Sequence, residues 1–425
     1  MVSAQVFRKS TFNRPVVFSR NLSSALLRAL ATLTLVLIAV TGASASSEKV
    51  IHSFLGGPDG NDPTAGVIFV NGHMYGTTMF GGKYLAGTVY ELRPRRNSWK
   101  ERVLYMFTGG SDGSLPEGGL VADASGNLYG TTLGGGSGCG GYGCGTVFEL
   151  SANSKGGWTE HVLHKFTEGS DGFNPRVGLA WDKAGNLYGS SSNNVVFRLS
   201  PSKGRWTFTT IYTFSYGRGS LTPFLVDSNG NLFGASSAGP NSNDNGIVFE
   251  LSPSSGGWTL TTLYTFTGIP NGYPIGPSPL VMDSEGNLYG STGRNDSHDC
   301  YYQNVGCGMV YELTPDGGGW TFSTLYDFSA SGDGSYPVGV IFDSQGNLYG
   351  TTEQSYHTNN FASGTLFKLT DSGGTWTESV LHNFTNTGDG HYPNGGLAWG
   401  ADGHLYGTTV YGGAINHGAV FEFIP

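Results

Sequence analysis

A single phrase, Leu-Tyr-Gly or a near copy, returns seven times along the chain, with its aromatic position at Tyr75, Tyr129, Tyr188, Phe233, Tyr289, Tyr349 and Tyr406. Intervals of 54, 59, 45, 56, 60 and 57 residues mark one supersecondary unit restated. Each unit carries four strand-like runs. Repeated four-stranded units of this length predict an all-β fold, a β-propeller of antiparallel blades, and seven units predict seven blades.

The second unit shows the pattern. Gly119 to Asp123 reads as a short apolar strand a, and Asp123-Ala124-Ser125-Gly126-Asn127 turns the chain, with Gly126 free to take a left-handed conformation. Leu128 to Thr132 is strand b, and Thr146 to Leu150, alternating with period two, is strand c. A Gly-Gly-Trp turn leads into strand d, Thr159 to Phe166. The Asp-x-x-Gly-Asn turn returns at Asp182, Asp227, Asp283 and Asp343; unit seven degrades it to Gly400-Ala401-Asp402-Gly403-His404, and unit one shortens it to Asn71-Gly72. The strand d tryptophan returns at Trp99, Trp206, Trp258, Trp320 and Trp376. Large rings at one sheet position imply filling of the wedge between neighbouring blades.

The chain ends imply closure. Lys49 to Phe54 matches strand d elsewhere but precedes the first strand a, whereas the last unit stops after strand c, Ala419 to Phe423. One blade then takes a, b and c from the C-terminus and d from the N-terminus, which leaves no unpaired edge. The propeller is expected to occupy residues 46–425 as one domain.

Residues 1–45 read as a secretory signal: five basic residues, an apolar run from Ala29 to Val40, and a small-residue cleavage site ending at Ala45. The rival is an uncleaved anchor helix, for which that run is short. Without the signal, 17 basic residues face 31 acidic ones, a net charge of −14. Such a surface repels phosphate backbones and anionic lipid, so neither nucleic acid nor membrane insertion is expected. A secreted, periplasmic or surface-exposed monomer is.

The units resemble the GloVer repeat of choice-of-anchor bacterial proteins, whose phrase L-Y-G-T-T, a Gly-rich loop and G-T-V-F-E-L stands here as Leu128-Tyr129-Gly130-Thr131-Thr132 with Gly145-Thr146-Val147-Phe148-Glu149-Leu150. The resemblance implies an exported bacterial propeller and carries no activity with it. Members of that family end in surface-anchoring signals, and this sequence ends at its last blade.

Binding is expected on the face shared by the b–c and d–a connections, where loops are long and irregular. All four cysteines lie in b–c loops and read as two local disulfides, Cys139–Cys144 and Cys300–Cys307; the rival reading is a thiolate metal site. Asp-Gly pairs recur in the d–a connections at Asp59, Asp112, Asp171, Asp333 and Asp389. They read either as a carboxylate rim for Ca²⁺ or hydroxyl-rich ligands or as ordinary turn chemistry. Loop aromatics, Tyr142, Tyr301 and Tyr302 with Tyr84, Tyr356 and Tyr411, suit stacking on sugar rings or loop self-packing.

Strands a, such as Gly178-Leu179-Ala180-Trp181, carry no polar constellation for acid–base work, and His52, His161, His164 and His382 fall in outer strands. No catalytic residue is assigned. The sequence reads as a non-catalytic binding scaffold for polysaccharide or a surface protein. The alternative is an extracellular lyase or hydrolase using loop carboxylates.

Overall fold

The computed structural model describes residues 46–96, 98–215, 221–239, 246–266, 280–293, 300, 306–357, 360–385 and 388–425. They form seven antiparallel sheets arranged as a propeller, each a meander of strands a to d from the axis outward. Blade I comprises Ile68–Val70, His73–Thr78, Thr88–Arg95 and Ser98–Met106; blade II comprises Val121–Ala122, Leu128–Thr132, Thr146–Ala152 and Trp158–Lys165. Blades III to VI repeat the order, the sixth adding a short fifth strand, Asn360–Ala362, to an extended strand b. Blade VII takes Leu397–Trp399, Leu405–Thr409 and Ala419–Ile424 from the C-terminus and Ser47–Ser53 from the N-terminus. That last pairing runs antiparallel from Ser47 opposite Ile424 to Ser53 opposite Ala419.

Each letter of the recurring phrase has a distinct task. Its leucine, as Leu128 or Leu405, is fully buried. Its tyrosine sets its ring edge-on against the tryptophan of the next blade's strand d: Tyr75 on Trp158, Tyr129 on Trp206, Tyr188 on Trp258, and Tyr406 on Trp99 across the closure. Its glycine leaves room for a buried ring of strand c; a Cβ on Gly130 would stand 2.6 Å from the Phe148 ring. The first threonine donates to a carbonyl of the next blade, Thr131 to Val177 at 3.2 Å, Thr351 to Pro393 at 2.9 Å and Thr408 to Ala65 at 3.0 Å. The second pairs with the threonine that opens strand c, as in Thr132 with Thr146 at 2.8 Å. One strand therefore fills its own blade and ties it to the next.

In blade II strands b, c and d match the sequence reading within two residues, but strand a is two residues long instead of five; blades III and V shorten it likewise, whereas blade VI extends it to Ser335–Phe342. Crowding at the axis explains this. Neighbouring strands a converge so closely that a Cβ on Gly66 would lie 2.2 Å from the Gly395 carbonyl oxygen. In blades II and III the first residues of the expected strand, such as Gly119, Leu120, Gly178 and Leu179, line the channel instead of pairing with strand b.

Substituting Gly130→Ala should overpack the Phe148 pocket and cost about 1–3 kcal/mol in urea denaturation. An unchanged midpoint would contradict the role assigned to this glycine.

Candidate functional site

In five blades the d–a connection entering the blade lies against that blade's b–c side. Isolated bridges pair Asn61 with Phe80, Ser114 with Gly134, Phe173 with Ser192, Leu221 with Ser236, and His391 with Tyr411. These contacts establish that the two loop sets share one face.

The five Asp-Gly aspartates repeat a single geometry within their loops. Each accepts the backbone N–H four residues upstream: Asp59 from Leu55 at 2.9 Å, Asp112 from Thr108 at 2.8 Å, Asp171 from Thr167 at 3.0 Å, Asp333 from Ser329 at 2.8 Å and Asp389 from Thr385 at 3.1 Å. Strand d adds a second partner, Tyr105 to Asp112 at 3.0 Å and Tyr326 to Asp333 at 3.2 Å, while His164 Nε2 lies 3.1 Å from Asp171 and His382 Nε2 lies 3.2 Å from Asp389. Asp112, Asp171 and Asp333 are buried. Their carboxylates point into the loops that carry them.

Beside four of these aspartates the sequence reading missed a recurring glutamate. Glu48, Glu101, Glu160 and Glu378 hold one register position in strand d, opposite Phe423, Leu92, Leu150 and Leu369. Burial, reinforced by the negative charge of Asp389, Asp59, Asp112 and Asp333 respectively, pushes each carboxyl up to about 7. The Oε1 of all four is buried without a hydrogen-bond partner. At the equivalent position blades III and V carry Phe208 and Phe322, which stack on His164 and Tyr264 of the preceding blade at 3.7 and 4.2 Å. Comparing strands d between units, Glu against Phe, is the signal that would have found these seams.

The axial cavity, about 300 Å³, is walled by Val67, Leu120, Leu179, Phe224, Val340 and their neighbours. Two charges border it, and the reading of strands a overlooked both. Arg176 Nη1 lies 3.4 Å from Glu117 Oε2, and burial raises the Glu117 carboxyl although Arg176 opposes the shift. Both residues follow a proline, as Thr64 and Asn394 do; aligning units on that proline exposes the polar positions. Arg176 also borders a cleft of about 250 Å³ above Asn193 and Asn194, where the shortest b–c loop leaves a notch.

Both disulfides are present, Cys139–Cys144 and Cys300–Cys307. The first closes a loop that holds Tyr142 outward, 88 % exposed. Tyr301 and Tyr302 lie outside the described residues, as does the Tyr356 side chain. Among the described residues the exposed large apolar side chains are Leu55, Phe80, Tyr84, Leu85, Tyr142, Tyr411 and Ile415. Every one sits in b–c or d–a loops of blades VII, I and II. These loops touch one another: Gly82 N–H donates to Gly57 O, Leu115 N–H to Ala86 O and Asp62 N–H to His417 O. His417 Nδ1 lies 3.0 Å from Asn61 Oδ1.

Fold and site together define a seven-bladed β-propeller with an apolar, disulfide-braced loop face at its closing seam. Residues 39–224 and 225–425 each match the Gloeobacter/Verrucomicrobia repeat, and the chain belongs to that repeat family. No curated protein matches it by sequence. Among solved structures, it is similar to a polysaccharide lyase, an ulvan lyase bound to a GlcA–Rha3S repeat (10 % identity, TM-score 0.53, 86 % of this chain and 94 % of that one). It is similar also to a Lactobacillus plantarum protein (13 %, TM-score 0.50, 80 % and 95 %). PorZ, a bacterial surface component of the type-IX secretion system of Porphyromonas gingivalis, gives 14 %, TM-score 0.49, and coverage of 88 % and 48 %. At these identities the likeness is one of fold. The disulfides suit an oxidising compartment, and no helix among the described residues is long and apolar enough to cross a membrane.

The seam glutamates have a pH signature. Their carboxyls titrate higher in the folded ring than in the unfolded chain, so they stabilise it fully below about pH 4.5. That contribution is lost as pH rises through about 7. His52, His164 and His391, lowered by burial, act in the opposite sense. A fourfold Glu→Gln variant isolates the glutamates: the melting temperature of wild type minus that of the variant should fall between pH 4.5 and 8. A difference independent of pH would contradict the seam chemistry.

Proposed function

We propose that the protein is a non-catalytic binding scaffold acting outside the cytoplasm, and that it holds polysaccharide on the loop face of blades VII, I and II. One observation carries this reading: the exposed large apolar side chains of the described residues gather on three consecutive blades of one face. Exposed apolar groups scattered singly need no explanation, whereas a contiguous set marks an interaction surface. Its composition favours sugar. Tyr84, Tyr142 and Tyr411 offer flat rings with a polar edge, suited to stacking on a pyranose while the hydroxyl hydrogen-bonds. Tyr142 is held in a short disulfide loop, so little ordering remains at binding. In this reading Asp59, Asp112, Asp171, Asp333 and Asp389 hold the loops in shape, and the aromatic rings make the contact.

The alternative, an extracellular carbohydrate-active enzyme, is favoured by a different observation, the Glu117–Arg176 pair beside the axial cavity. A carboxyl raised by burial next to a guanidinium suits proton transfer at an acidic sugar. A fold neighbour is a polysaccharide lyase, but fold alone carries no chemistry to this chain. Polymer left intact by the wild type after prolonged incubation would exclude this alternative.

Affinity electrophoresis against a panel of bacterial and plant polysaccharides tests the scaffold reading. Replacing Tyr84, Tyr142 and Tyr411 together by Ala should weaken retention by about tenfold or more, from stacking terms of about 0.5–1.5 kcal/mol each, while the melting temperature holds. Cys139→Ser with Cys144→Ser should weaken it in part. Retention indifferent to the triple substitution, or absent with every polymer, would overturn the proposal.

A further inference from the structure

The repeats supply an internal standard for the turn between strands a and b. In blade II, Asp123 accepts from the amides of Ser125 and Asn127 at 2.8 and 2.9 Å, from Asn127 Nδ2 at 2.8 Å and from Tyr129 at 3.2 Å. Asp182, Asp227, Asp283 and Asp343 repeat the bond to the Asn side chain four residues on. These five turns satisfy their own carboxylates. Blade VII breaks the pattern in two places at once: glycine occupies the Asp position at Gly400 with an aspartate two residues later, and His404 replaces the Asn.

Both departures bring metal-ligating groups onto one spot. Tyr406 donates to Asp402 Oδ2 at 2.7 Å and lies 2.9 Å from Glu422 Oε1. His404 Nδ1 stands 2.7 Å from Glu422 Oε1 and 3.7 Å from Asp402 Oδ2. One imidazole nitrogen and two carboxylate oxygens thus lie within 4.8 Å of one another. A tetrahedral ion with ligands about 2 Å away separates its donors by about 3.3 Å, close to the spacing found here.

Blade I is the informative comparison. His73 Nδ1 lies 2.7 Å from Glu91 Oε1, and Tyr75 donates to that oxygen at 3.2 Å, the same imidazole, carboxylate and phenol. There the remaining oxygen, Glu91 Oε2, meets the Arg93 guanidinium at 2.9 Å. The equivalent of Arg93 in blade VII is Ile424, and a second carboxylate, Asp402, joins the set instead. Lys49 stands opposite Glu422 across the sheet and is exposed. So blade I carries its own cation within the set, and blade VII replaces that cation with a ligand.

We propose that Asp402, His404 and Glu422 form a binding site for one divalent transition-metal ion of the Zn²⁺ type on the a–b face of the closing blade. One nitrogen and two carboxylate oxygens suit Zn²⁺ or a near relative, whereas Ca²⁺ calls for six to eight oxygens. Tyr406 holds the Asp402 carboxylate with its one O–H and stands 2.9 Å from the Glu422 oxygen, which positions the pair. The Asp402 side chain is half exposed, which gives the ion entry, and Glu422 is largely enclosed. Bound metal would join the a–b turn to strand c of the blade that closes the ring. The other thiol- or carboxylate-rich set among the described residues, Cys139, Cys144 and Glu168, has both sulfurs in a disulfide. This inference is independent of the glycan reading.

Tag-free protein titrated with Zn²⁺ by calorimetry, and with Co²⁺ by visible absorption, tests it. One site per chain is expected, weakened at least about tenfold by Asp402→Asn and by His404→Gln, with His73→Gln as an unaffected control. Zn²⁺ should also raise the melting temperature of the wild type and not of those two variants. Asp402→Asn lies on an exposed turn and keeps the side-chain shape, so a folding defect in His404→Gln would still leave one variant to read. Lack of saturable binding at millimolar Zn²⁺, binding undiminished in Asp402→Asn, or an equal loss in His73→Gln would overturn the proposal.

Discussion

The ring depends on the contact that strand b of each blade makes with the blade after it. A tyrosine edge on the neighbour's tryptophan and a threonine hydroxyl on its carbonyl recur from blade to blade. Neither contact is large; a buried hydrogen bond contributes about 1 kcal/mol and an aromatic pair about as much. Their strength lies in repetition around a closed circle, because each blade is gripped on two sides. The circle closes when Thr408 reaches Ala65 and Tyr406 meets Trp99, residues more than three hundred positions apart in sequence. At that junction strand Ser47–Ser53 completes blade VII as its outer strand. Removing that strand would expose the edge of Ala419–Ile424.

The architecture was legible because repetition averages out local ambiguity. A single Leu-Tyr-Gly-Thr-Thr strand is an unremarkable run, but seven of them at near-equal intervals leave one economical arrangement. The mismatch between an orphan strand d at one end and a missing one at the other then gives the closure. Strand b of blade II, with every side chain buried, was located to the residue. Strands a were overextended in blades II, III and V, because strand propensity does not register how backbones crowd at an axis, which Gly66 and Gly395 reveal only in three dimensions.

The site was less legible, for a related reason. Function in a repeat protein lies in departures from the repeat, and a consensus reading suppresses them. Asp112 and Asp171 drew attention because they recur, and recurrence here accompanies loop-holding bonds to the backbone. Glu117 and Arg176 occur once each at their positions and escaped notice, while Asp402 and His404 read only as a degraded turn because Glu422, which meets them, lies on another strand. Glu160 and Glu378 recur in some blades and yield to Phe208 and Phe322 in others, a difference that only contacts between neighbouring blades explain. Exposure is a further quantity that sequence does not carry: Tyr84, Tyr142 and Tyr411 read no differently from buried loop tyrosines until the loops are in place.

Closure also explains why blades VII, I and II are distinctive. The seam joins the two ends of the chain, and the loops above it, Leu55 to Asp62 and Tyr411 to His417, come from opposite termini. The apolar loop patch lies on one side of this seam and the Asp402–His404–Glu422 cluster on the other. Hydrogen exchange resolved by mass spectrometry tests the closure directly. Amides of residues 48–53 should be protected to the same degree as those of 419–424, and both should open in one cooperative event. Rapid exchange of 48–53 while the strands b of other blades stay protected would contradict the account.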